Sequence, residues 1–321
     1  MNKWMKKAAL IGLGMSMLLA VGCTKDAGSE VGKAVANGDK VKIYTTLQAQ
    51  ADFAKAIGGD KVEVSTYMPL NTNFWQWAPT VKEVSDMESA HVFIKNGSNV
   101  EDRWWDQTYA TVKLKNKDLL VIDASEGLEK DPLERYFNPD ANEEDKKKPR
   151  TNPWLYLDPV SAKQEVDTIL AGLVKKAPSY ADEFKKNAED YKKRLDELDQ
   201  KYKSTLASVK HKEIISPYPA WHYIAKRYGL KFYVPDTIAI NDYPWDDVEK
   251  QKAVLEDLKK HDATTIFFEG EAAPRVQEFL FQGGFAAAQL NPFEGKMETN
   301  PKSYVQVMEQ NLKALEAGLN K

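Results

Sequence analysis

The chain has 321 residues, a formal net charge of -3 and a hydrophobic fraction of 42%. This length suits two domains or one large one, and the apolar content supports folded cores, which excludes wholesale disorder. Lysine plus arginine (45) nearly balance aspartate plus glutamate (48), so composition gives no electrostatic case for a nucleic-acid partner.

The first 22 residues have the pattern of an export signal peptide. A basic start precedes the apolar run 8–21, which is too short for a comfortable membrane span. Small residues come directly before Cys23, as in a bacterial lipobox, and no second cysteine exists for a disulfide. We predict that Cys23 is lipidated and that residues 23–39 are a flexible tether. The alternative is an ordinary signal peptide with a chance cysteine.

Strand and helix signals alternate between residues 41 and 123. Short runs of β-branched and apolar residues predict strands, and helical spacing or helix-cap residues fill the stretches between them. The predicted strands are 41–46, 62–67, 90–94 and 119–123, and the predicted helices are 48–57 and 80–88. Strands separated by helices favour parallel βαβ units, so we predict an N-terminal α/β lobe over residues 40–177.

An aromatic loop follows the second predicted strand. Residues 69–80 carry Phe74, Trp75 and Trp77 within four positions. A loop with that much aromatic surface needs something to cover it. Packing on its own lobe is one interpretation, and contact with a ligand is the other.

A long amphipathic pattern follows a charged surface stretch at 130–150 and a helix at 161–175. Apolar side chains recur every three or four residues from 180 to 206, after a proline–serine pair that is typical of a helix start. A helix of nearly thirty residues is about 45 Å long at 1.5 Å per residue, which is long for one small domain. We predict that residues 178–209 are a helix that links two lobes.

The same alternation returns in the last third of the chain. The predicted strands are 213–216, 231–234 and 264–268, and the predicted helices are 220–228, 246–260, 274–281 and 304–319. Residues 210–321 are therefore a predicted second α/β lobe. The cleft between the lobes is the default binding site, and the carboxyl ends of the strands should face it.

Several short stretches of the chain are landmarks when they are taken together. They are residues 57–64, Pro79-Thr80, Asn96-Gly97 with Glu101 and Trp104, Leu157-Asp158-Pro159, residues 225–230, Phe267-Phe268-Glu269 and residues 304–311. In this order and spacing they resemble the zinc- and manganese-binding solute-binding proteins of bacterial ABC importers, over roughly residues 40–319. The resemblance implies two α/β domains joined by one rigid helix, with the ligand between them. It also implies an extracytoplasmic monomer that partners a membrane permease.

Four positions where that family holds its metal carry other residues here. The family uses three imidazoles, or two with a glutamate, and an aspartate, and this set suits zinc or manganese. By the resemblance, these positions are Trp75, Trp154, Tyr218 and Asn291. Indole offers no lone pair, and neutral phenol and carboxamide are weak donors, so we expect no metal site of the family pattern. His222 lies near a matched position and is interpreted as a helix-surface or core imidazole.

Aromatic walls in the cleft would suit a solute other than a metal. They surround organic cations through cation–π attraction, or they stack on flat and ring-shaped solutes such as sugars and nucleobases. The predicted ligand-binding residues are Trp75, Trp77, Trp154, Tyr156, Tyr218, Trp221, Asn291 and Glu269.

Charged residues near the predicted cleft could complete such a site. The carboxylates that could neutralise a cation are Asp158, Asp242, Glu269 and Glu271. Asp158 precedes a proline and is more simply a helix cap. Arg103 and Arg275 could bind a carboxylate, but a solvated surface charge is the simpler interpretation of both.

We therefore expect a transport binding protein for an organic cation or a ring-shaped solute, without a cofactor. One alternative is a divergent metal or metal-chelate site that uses His222, Glu269 or Asp242. Another is a surface adhesin or scaffold whose cleft is closed by its own aromatic side chains. An enzyme is not expected, because the sequence has no nucleophile–base pair, glycine-rich phosphate loop or two-cysteine site.

Overall fold

The computed structural model describes residues 33–70, 72–133, 144, 147–235, 247–295 and 302–321. The predicted signal peptide, Cys23, part of the predicted tether and Asp242 lie outside these residues. Within the described part of the chain, no helix is both long enough and apolar enough to cross a membrane.

The N-terminal lobe is built on a parallel sheet of four strands in the order β2-β1-β3-β4. The strands are β1 (Val41–Thr45), β2 (Val62–Thr66), β3 (Val92–Lys95) and β4 (Leu120–Asp123). Its helices are α1 (Gln48–Gly58), α2 (Val81–Met87), α3 (Trp105–Lys115) and α4 (Pro159–Lys176). Helix α2 begins at a capping box, in which Thr80 and Glu83 satisfy each other's backbone amides.

The C-terminal lobe repeats this arrangement with the strand order β6-β5-β7-β8. The strands are β5 (Glu213–Ile215), β6 (Lys231–Tyr233), β7 (Thr265–Phe268) and β8 (Ala286–Gln289). A long helix, α5 (Ala181–Ala207), comes before this lobe in the chain. The helices of the lobe are α6 (His222–Tyr228), α7 (Val248–Leu258), α8 (Pro274–Gln282) and α9 (Tyr304–Leu319). The prediction of two parallel-sheet α/β lobes is confirmed.

Helix α5 (Ala181–Ala207) joins the two lobes. Its buried side chains recur every three or four residues, and they are Phe184, Ala188, Tyr191, Leu195, Leu198, Tyr202 and Leu206. This stripe faces α1 and α4 of one lobe and α6 and α9 of the other. The single long helix between the lobes is therefore confirmed, whereas the division of the chain into domains stays a prediction.

Two elements were not predicted from the sequence. Helix α3 fully buries only Thr108 and Val112, and Trp105 and Tyr109 pack partly buried beside Val112. Its exposed Leu114 lies off this face and obscures the apolar periodicity. Strand β8 has the sequence Ala-Ala-Ala-Gln, which contains no β-branched or aromatic residue. Packing within the folded lobe sets both elements, and their own sequence pattern does not.

The strand order of each lobe places polar residues at one edge of its sheet. The sheets have a crossover point between β1 and β3 and between β5 and β7, and loops after the carboxyl ends of such strands form binding crevices in α/β proteins. Asn96 follows β3, Tyr218 follows β5, Glu269 follows β7, and Glu294 lies in the loop after β8. These loops carry the side chains of the candidate site.

Candidate functional site

Four aromatic side chains and one carboxylate lie where the lobes meet. Phe74, Trp75 and Trp154 come from the N-terminal lobe, and Tyr218 and Glu294 from the C-terminal lobe; we call these five residues the Glu294 cluster. The Trp154 ring lies edge-on to Phe74 at a centroid distance of 5.5 Å and to Tyr218 at 5.1 Å. Trp154 is fully buried, and Phe74 and Trp75 are almost so. The two lobes therefore close on each other through aromatic contacts.

Glu294 carries the charge of the cluster. Its Oε1 accepts hydrogen bonds from Trp154 Nε1 at 2.5 Å and from the Tyr218 hydroxyl at 2.8 Å. Burial raises the pKa of Glu294 to about 7, the two hydrogen bonds oppose this rise, and the Glu269 carboxylate adds to it. Among the described residues, no lysine, arginine or histidine pairs with this carboxylate. Glu294 is thus a partly buried acid with neutral hydrogen-bond donors and, among the described residues, no counter-charge.

The loop that carries Glu294 is held against the N-terminal lobe by its backbone. The Gln48 amide donates to the Glu294 carbonyl oxygen at 2.7 Å. A Cβ atom on Gly295 would lie 2.4 Å from the Pro69 carbonyl oxygen and 2.5 Å from the Leu70 Cα. Glycine at position 295 therefore permits the close approach of this loop to the aromatic loop.

Trp75 lies behind Phe74 in the cluster. The Trp75 and Phe74 ring centroids are 4.5 Å apart, and the Arg150 guanidinium carbon lies 5.7 Å from the Trp75 centroid. Phe74 is the residue of the aromatic loop that contacts Trp154. Sequence reasoning selected Trp75 by the resemblance and left out Phe74, its neighbour in a loop that has no periodicity to decide between them.

Trp77 and Trp221 were predicted to line the cleft, and neither belongs to the Glu294 cluster as defined. Trp77 packs edge-on against Trp104 at 5.5 Å, beside the aromatic residues of the N-terminal lobe. Trp221 is fully buried in the hydrophobic core. Both rings therefore have protein packing partners, which is the simpler of the two interpretations of an aromatic side chain.

Tyr156 and Asn291 hold the backbone near the cluster. The Tyr156 hydroxyl donates to the Pro292 carbonyl oxygen at 2.9 Å, and the fully buried Tyr156 ring belongs to the core. The Asn291 Oδ1 accepts the amide of Phe293 at 2.8 Å, and the Asn291 backbone bonds to the Asn311 side chain on both sides. Asn291 therefore stabilises the turn before Glu294, because its side-chain oxygen accepts the backbone amide two residues further on.

Of the predicted carboxylates, Glu269 interacts electrostatically with the cluster. Its Oε2 is buried without a hydrogen-bond partner among the described residues, and burial raises the pKa of this carboxyl. Its charge also acts on Glu294 and Tyr218. Asp158 caps α4 at the Val160 amide, which confirms the helix-cap interpretation, and it also pairs with Arg227.

The other predicted charged residues lie outside the cluster. The Arg103 guanidinium donates to the Gln76 carbonyl oxygen at 2.7 Å and so supports the aromatic loop. Glu271 and Arg275 are exposed. His222 Nε2 lies 3.1 Å from Asp131 Oδ2, which places this imidazole in a contact between the lobes.

The four positions matched to the family's metal ligands do not provide a metal-binding donor set. Indole, phenol and carboxamide at Trp75, Trp154, Tyr218 and Asn291 lack the neutral nitrogen and anionic oxygen donors that zinc requires. Within the described ranges, no group of three or more histidine, cysteine, aspartate or glutamate side chains could hold a metal ion.

Sequence reasoning missed Glu294, the charged centre of the site. Trp154 and Glu294 are separated by 140 positions in the chain, so only the fold brings them together. The available signal was a glutamate three residues after Asn291, in a loop that the resemblance already placed at the cleft.

Comparison with known proteins identifies the relatives of this chain. The family model described as "ZnuA: Zinc-uptake complex component A periplasmic" matches residues 43–318. The high-affinity zinc uptake system protein ZnuA of Bacillus subtilis is 29% identical, over 99% of this chain and 98% of its own length. The zinc-binding lipoprotein AdcA of Streptococcus pneumoniae is 28% identical over 97% of this chain, which spans 60% of that relative.

Solved structures show the same similarity. The Zn(II)-bound ZnuA-like domain of Streptococcus pneumoniae AdcA superposes with a TM-score of 0.74 and 26% identity, over 88% of this chain and 100% of that domain. The metal-dependent lipoprotein YcdH of Bacillus subtilis superposes with a TM-score of 0.75 and 26% identity, again over 88% and 100%.

Proposed function

This chain belongs to the zinc-uptake complex component A family of solute-binding transport proteins, and we propose that it delivers a cation to an ABC importer. In this proposal it is an extracytoplasmic lipoprotein, anchored at Cys23 and partnered by a membrane permease. The cation binds between the lobes, where its charge is met by Glu294.

The observation that carries the proposal is the partly buried carboxylate of Glu294. A buried charge is costly unless an opposite charge or several hydrogen bonds compensate it. Glu294 has two neutral donors and a pKa raised to about 7, so the ionised form lacks full compensation. A cation that binds beside it would supply the missing charge and would favour ionisation.

Zinc is the first candidate cargo, and the comparisons favour it over the non-metal solute that was expected from the sequence. Relatives that align over almost the whole chain carry zinc uptake or zinc binding in their names. Glu294 and Glu269 are carboxylates of a kind that zinc accepts as oxygen ligands. A zinc site in this chain must use side chains other than those at the four matched positions, because those four do not suit the metal.

An organic cation is the second candidate, and the aromatic rings around Glu294 favour it. Glu294 accepts hydrogen bonds from Trp154 and Tyr218, and the Phe74 ring packs on Trp154. A ring face contributes about 0.5 to 2 kcal/mol of cation–π attraction. A carboxylate beside aromatic side chains suits an ammonium or guanidinium group. A metal chelate with a positive charge would use the same features.

Calorimetric titration of the full-length protein, purified without an affinity tag, tests the proposal. The titrants are zinc chloride, manganese chloride, arginine and choline, each against the wild type, Glu294→Gln and the exposed control Glu256→Gln. We expect stoichiometric binding of at least one cation, a loss of about tenfold or more in Glu294→Gln, and no change in the control. Absence of binding by all four would overturn the proposal and leave the closed-cleft scaffold as the alternative.

Elemental analysis separates the two cargo candidates. Stoichiometric zinc that survives dialysis, and that falls in Glu294→Gln, would establish the metal and reject the organic cation. A metal-free protein that binds choline or arginine would do the reverse.

The lipid anchor is tested separately. Labelling of growing cells with a radioactive or clickable fatty acid should mark the wild-type protein and leave Cys23→Ala unmarked. An unlabelled wild-type protein that is released into the extracellular fluid would reject the anchor and support an ordinary signal peptide.

A further inference from the structure

A nest of buried polar side chains lies beneath the Glu294 cluster in the N-terminal lobe. Gln50 on α1, Asn96 and Glu101 after β3, and Glu165 on α4 each expose 1% or less of their surface. Buried polar groups cost free energy unless they are hydrogen-bonded, and buried carboxyls cost the most.

The nest is linked to Trp154 by a chain of hydrogen bonds. The Gln50 Nε2 donates to Glu165 Oε2 at 2.9 Å and to Asn96 Oδ1 at 3.0 Å. The Asn96 Nδ2 donates in turn to the Pro153 carbonyl oxygen at 3.1 Å. Pro153 immediately precedes Trp154, whose indole N–H donates to Glu294. A continuous path therefore runs from Glu165 to the site of the proposed cargo.

Two oxygens in the nest have no hydrogen-bond partner among the described residues. They are Oε1 of Gln50 and Oε1 of Glu165. A carboxylate has only acceptors, whereas a protonated carboxyl gains one O–H donor. Protonation of Glu165 would therefore remove its charge, convert one of these unsatisfied acceptors into a donor and reduce the cost of burying this side chain.

The surroundings of Glu165 also favour its neutral form. Burial raises the pKa of Glu165 to about 8, the Asp123 charge adds to the rise, and the Gln50 hydrogen bond and Lys130 oppose it. The other titratable groups nearby are Tyr156, Tyr304 and Glu101. Burial raises the pKa of Glu101 to about 7, and its two oxygens accept the amides of Asn96 and Gly97. Asn96 is therefore fixed by Glu101 from one side and by Gln50 from the other.

We propose that Gln50 and Glu165 are positioning residues for cargo binding, which hold Asn96 and the Pro153 carbonyl so that the Trp154 indole meets Glu294. The inference rests on the proposed function for the cargo, but the positioning of Trp154 precedes any ligand. Ionisation of Glu165 places a charge among side chains that expose 1% or less of their surface, and it weakens this arrangement. Cargo affinity therefore falls as pH rises through the pKa of Glu165.

Three substitutions test the role in the full-length protein. Glu165→Gln keeps a neutral hydrogen-bonding side chain of the same size, Gln50→Leu removes the link to Asn96, and Gln107→Leu on an exposed position of α3 is the control. The first readout is the affinity for the cation that binds the wild type, measured from pH 7 to pH 9. The second is the ¹⁹F resonance of fluorotryptophan at position 154, assigned with Trp154→Phe and recorded without cargo.

Gln50→Leu removes the hydrogen bonds to Asn96 and to Glu165. We expect it to lower cation affinity by about tenfold or more and to shift the Trp154 resonance. Glu165→Gln should keep the wild-type affinity at pH 7 and abolish its fall toward pH 9. A wild-type resonance in Gln50→Leu would overturn the inference, even if the variant melts at a lower temperature. So would a wild-type pH profile in Glu165→Gln. The resonance needs no cargo, so a protein that binds no cation would overturn the cargo proposal and still leave the positioning role decided.

Discussion

The two lobes meet in two regions of different chemistry. In the charged clasp, defined as Asp131, Asp158, Lys226 and Arg227, each carboxylate has a cation at 2.6 Å. In the Glu294 cluster, the described residues offer the carboxylate an indole N–H and a phenol O–H and no cation. The clasp balances its charges within the protein, and the described part of the cluster does not.

The charged clasp is therefore the region that closes the lobes, and the Glu294 cluster is the region where the proposed cation binds. The clasp can hold the lobes together without cargo, because its ion pairs are complete and Asp158 is almost fully buried. The cluster contributes aromatic packing, but burial destabilises its carboxylate, and in the proposed function a bound cation relieves this cost. Substitutions in the two regions should therefore have different effects on stability and on cargo affinity.

The largest expected effect on stability comes from the aromatic centre of the cluster. Trp154→Ala removes a fully buried indole from between Phe74 and Tyr218, and it should lower the free energy of unfolding by about 3–5 kcal/mol. Urea denaturation followed by circular dichroism measures this change. A loss below about 1 kcal/mol would mean that the site collapses around the cavity and that the ring is not a packing centre.

The clasp should show a smaller effect, which is confined to stability. Arg227→Met leaves Asp158 buried without its cation, and we expect a loss of about 1–3 kcal/mol, reduced because Arg227 itself is partly exposed. Adding Asp158→Asn to this variant removes the stranded charge and should recover part of the loss. Cation affinity should stay within about twofold of the wild type. A tenfold fall in affinity would break the proposed division of roles.

A single methyl group added at Gly295 should weaken cation binding. In Gly295→Ala the new methyl group meets the backbone at Pro69 and Leu70, so the Glu294 loop must move away from the aromatic loop. We expect destabilisation by about 1–3 kcal/mol and weaker cation binding in calorimetric titration. Gly270→Ala is the matched control, because its Cβ would meet no atom within 4 Å. Equal behaviour of the two variants would show that the close approach does not matter.

The pH dependence of cation affinity and of stability tests the Glu294 cluster. Because burial raises the pKa of Glu294 to about 7, protons compete with the cation below that pH, and affinity should fall by up to about tenfold per pH unit. Stability should depend on pH in the opposite direction. The stabilisation by protonated Glu294 is complete below the pKa that this residue has in the unfolded chain, and it is lost as pH rises through about 7. Glu294→Gln should flatten both profiles, as measured by titration and by thermal unfolding between pH 5 and pH 8. Unchanged profiles in this variant would assign the titration to another group.

The regular elements could be predicted from the sequence where periodicity was strong. The closing helix was predicted at 304–319 and is observed over the same residues, because its apolar face and capping serine are unambiguous. Helix α3 was missed because the exposed Leu114 obscures its short apolar face, and strand β8 was missed because Ala-Ala-Ala-Gln has no strand pattern. Local sequence therefore predicts the elements that local sequence stabilises, and tertiary packing decides the others.

The candidate site was predictable only in part. The resemblance placed Trp154 just before the Leu157-Asp158-Pro159 landmark and Tyr218 just after a predicted strand, and the two rings do meet. It could not reveal Glu294, which replaces no family ligand and acquires its role from a partner 140 residues away. It also could not choose between Phe74 and Trp75, because side-chain direction in an irregular loop depends on contacts that exist only in the fold.

Proton release on cation binding shows whether the cation meets the Glu294 carboxylate. Calorimetric titration of the tag-free wild type at pH 6, in two buffers of different ionisation enthalpy, counts the protons released per cation. If the cargo meets the Glu294 carboxylate, the protonated acid must ionise, so about one proton should leave in the wild type and none in Glu294→Gln. Equal proton release and equal affinity in the two proteins would show that the cation binds elsewhere and would contradict the account.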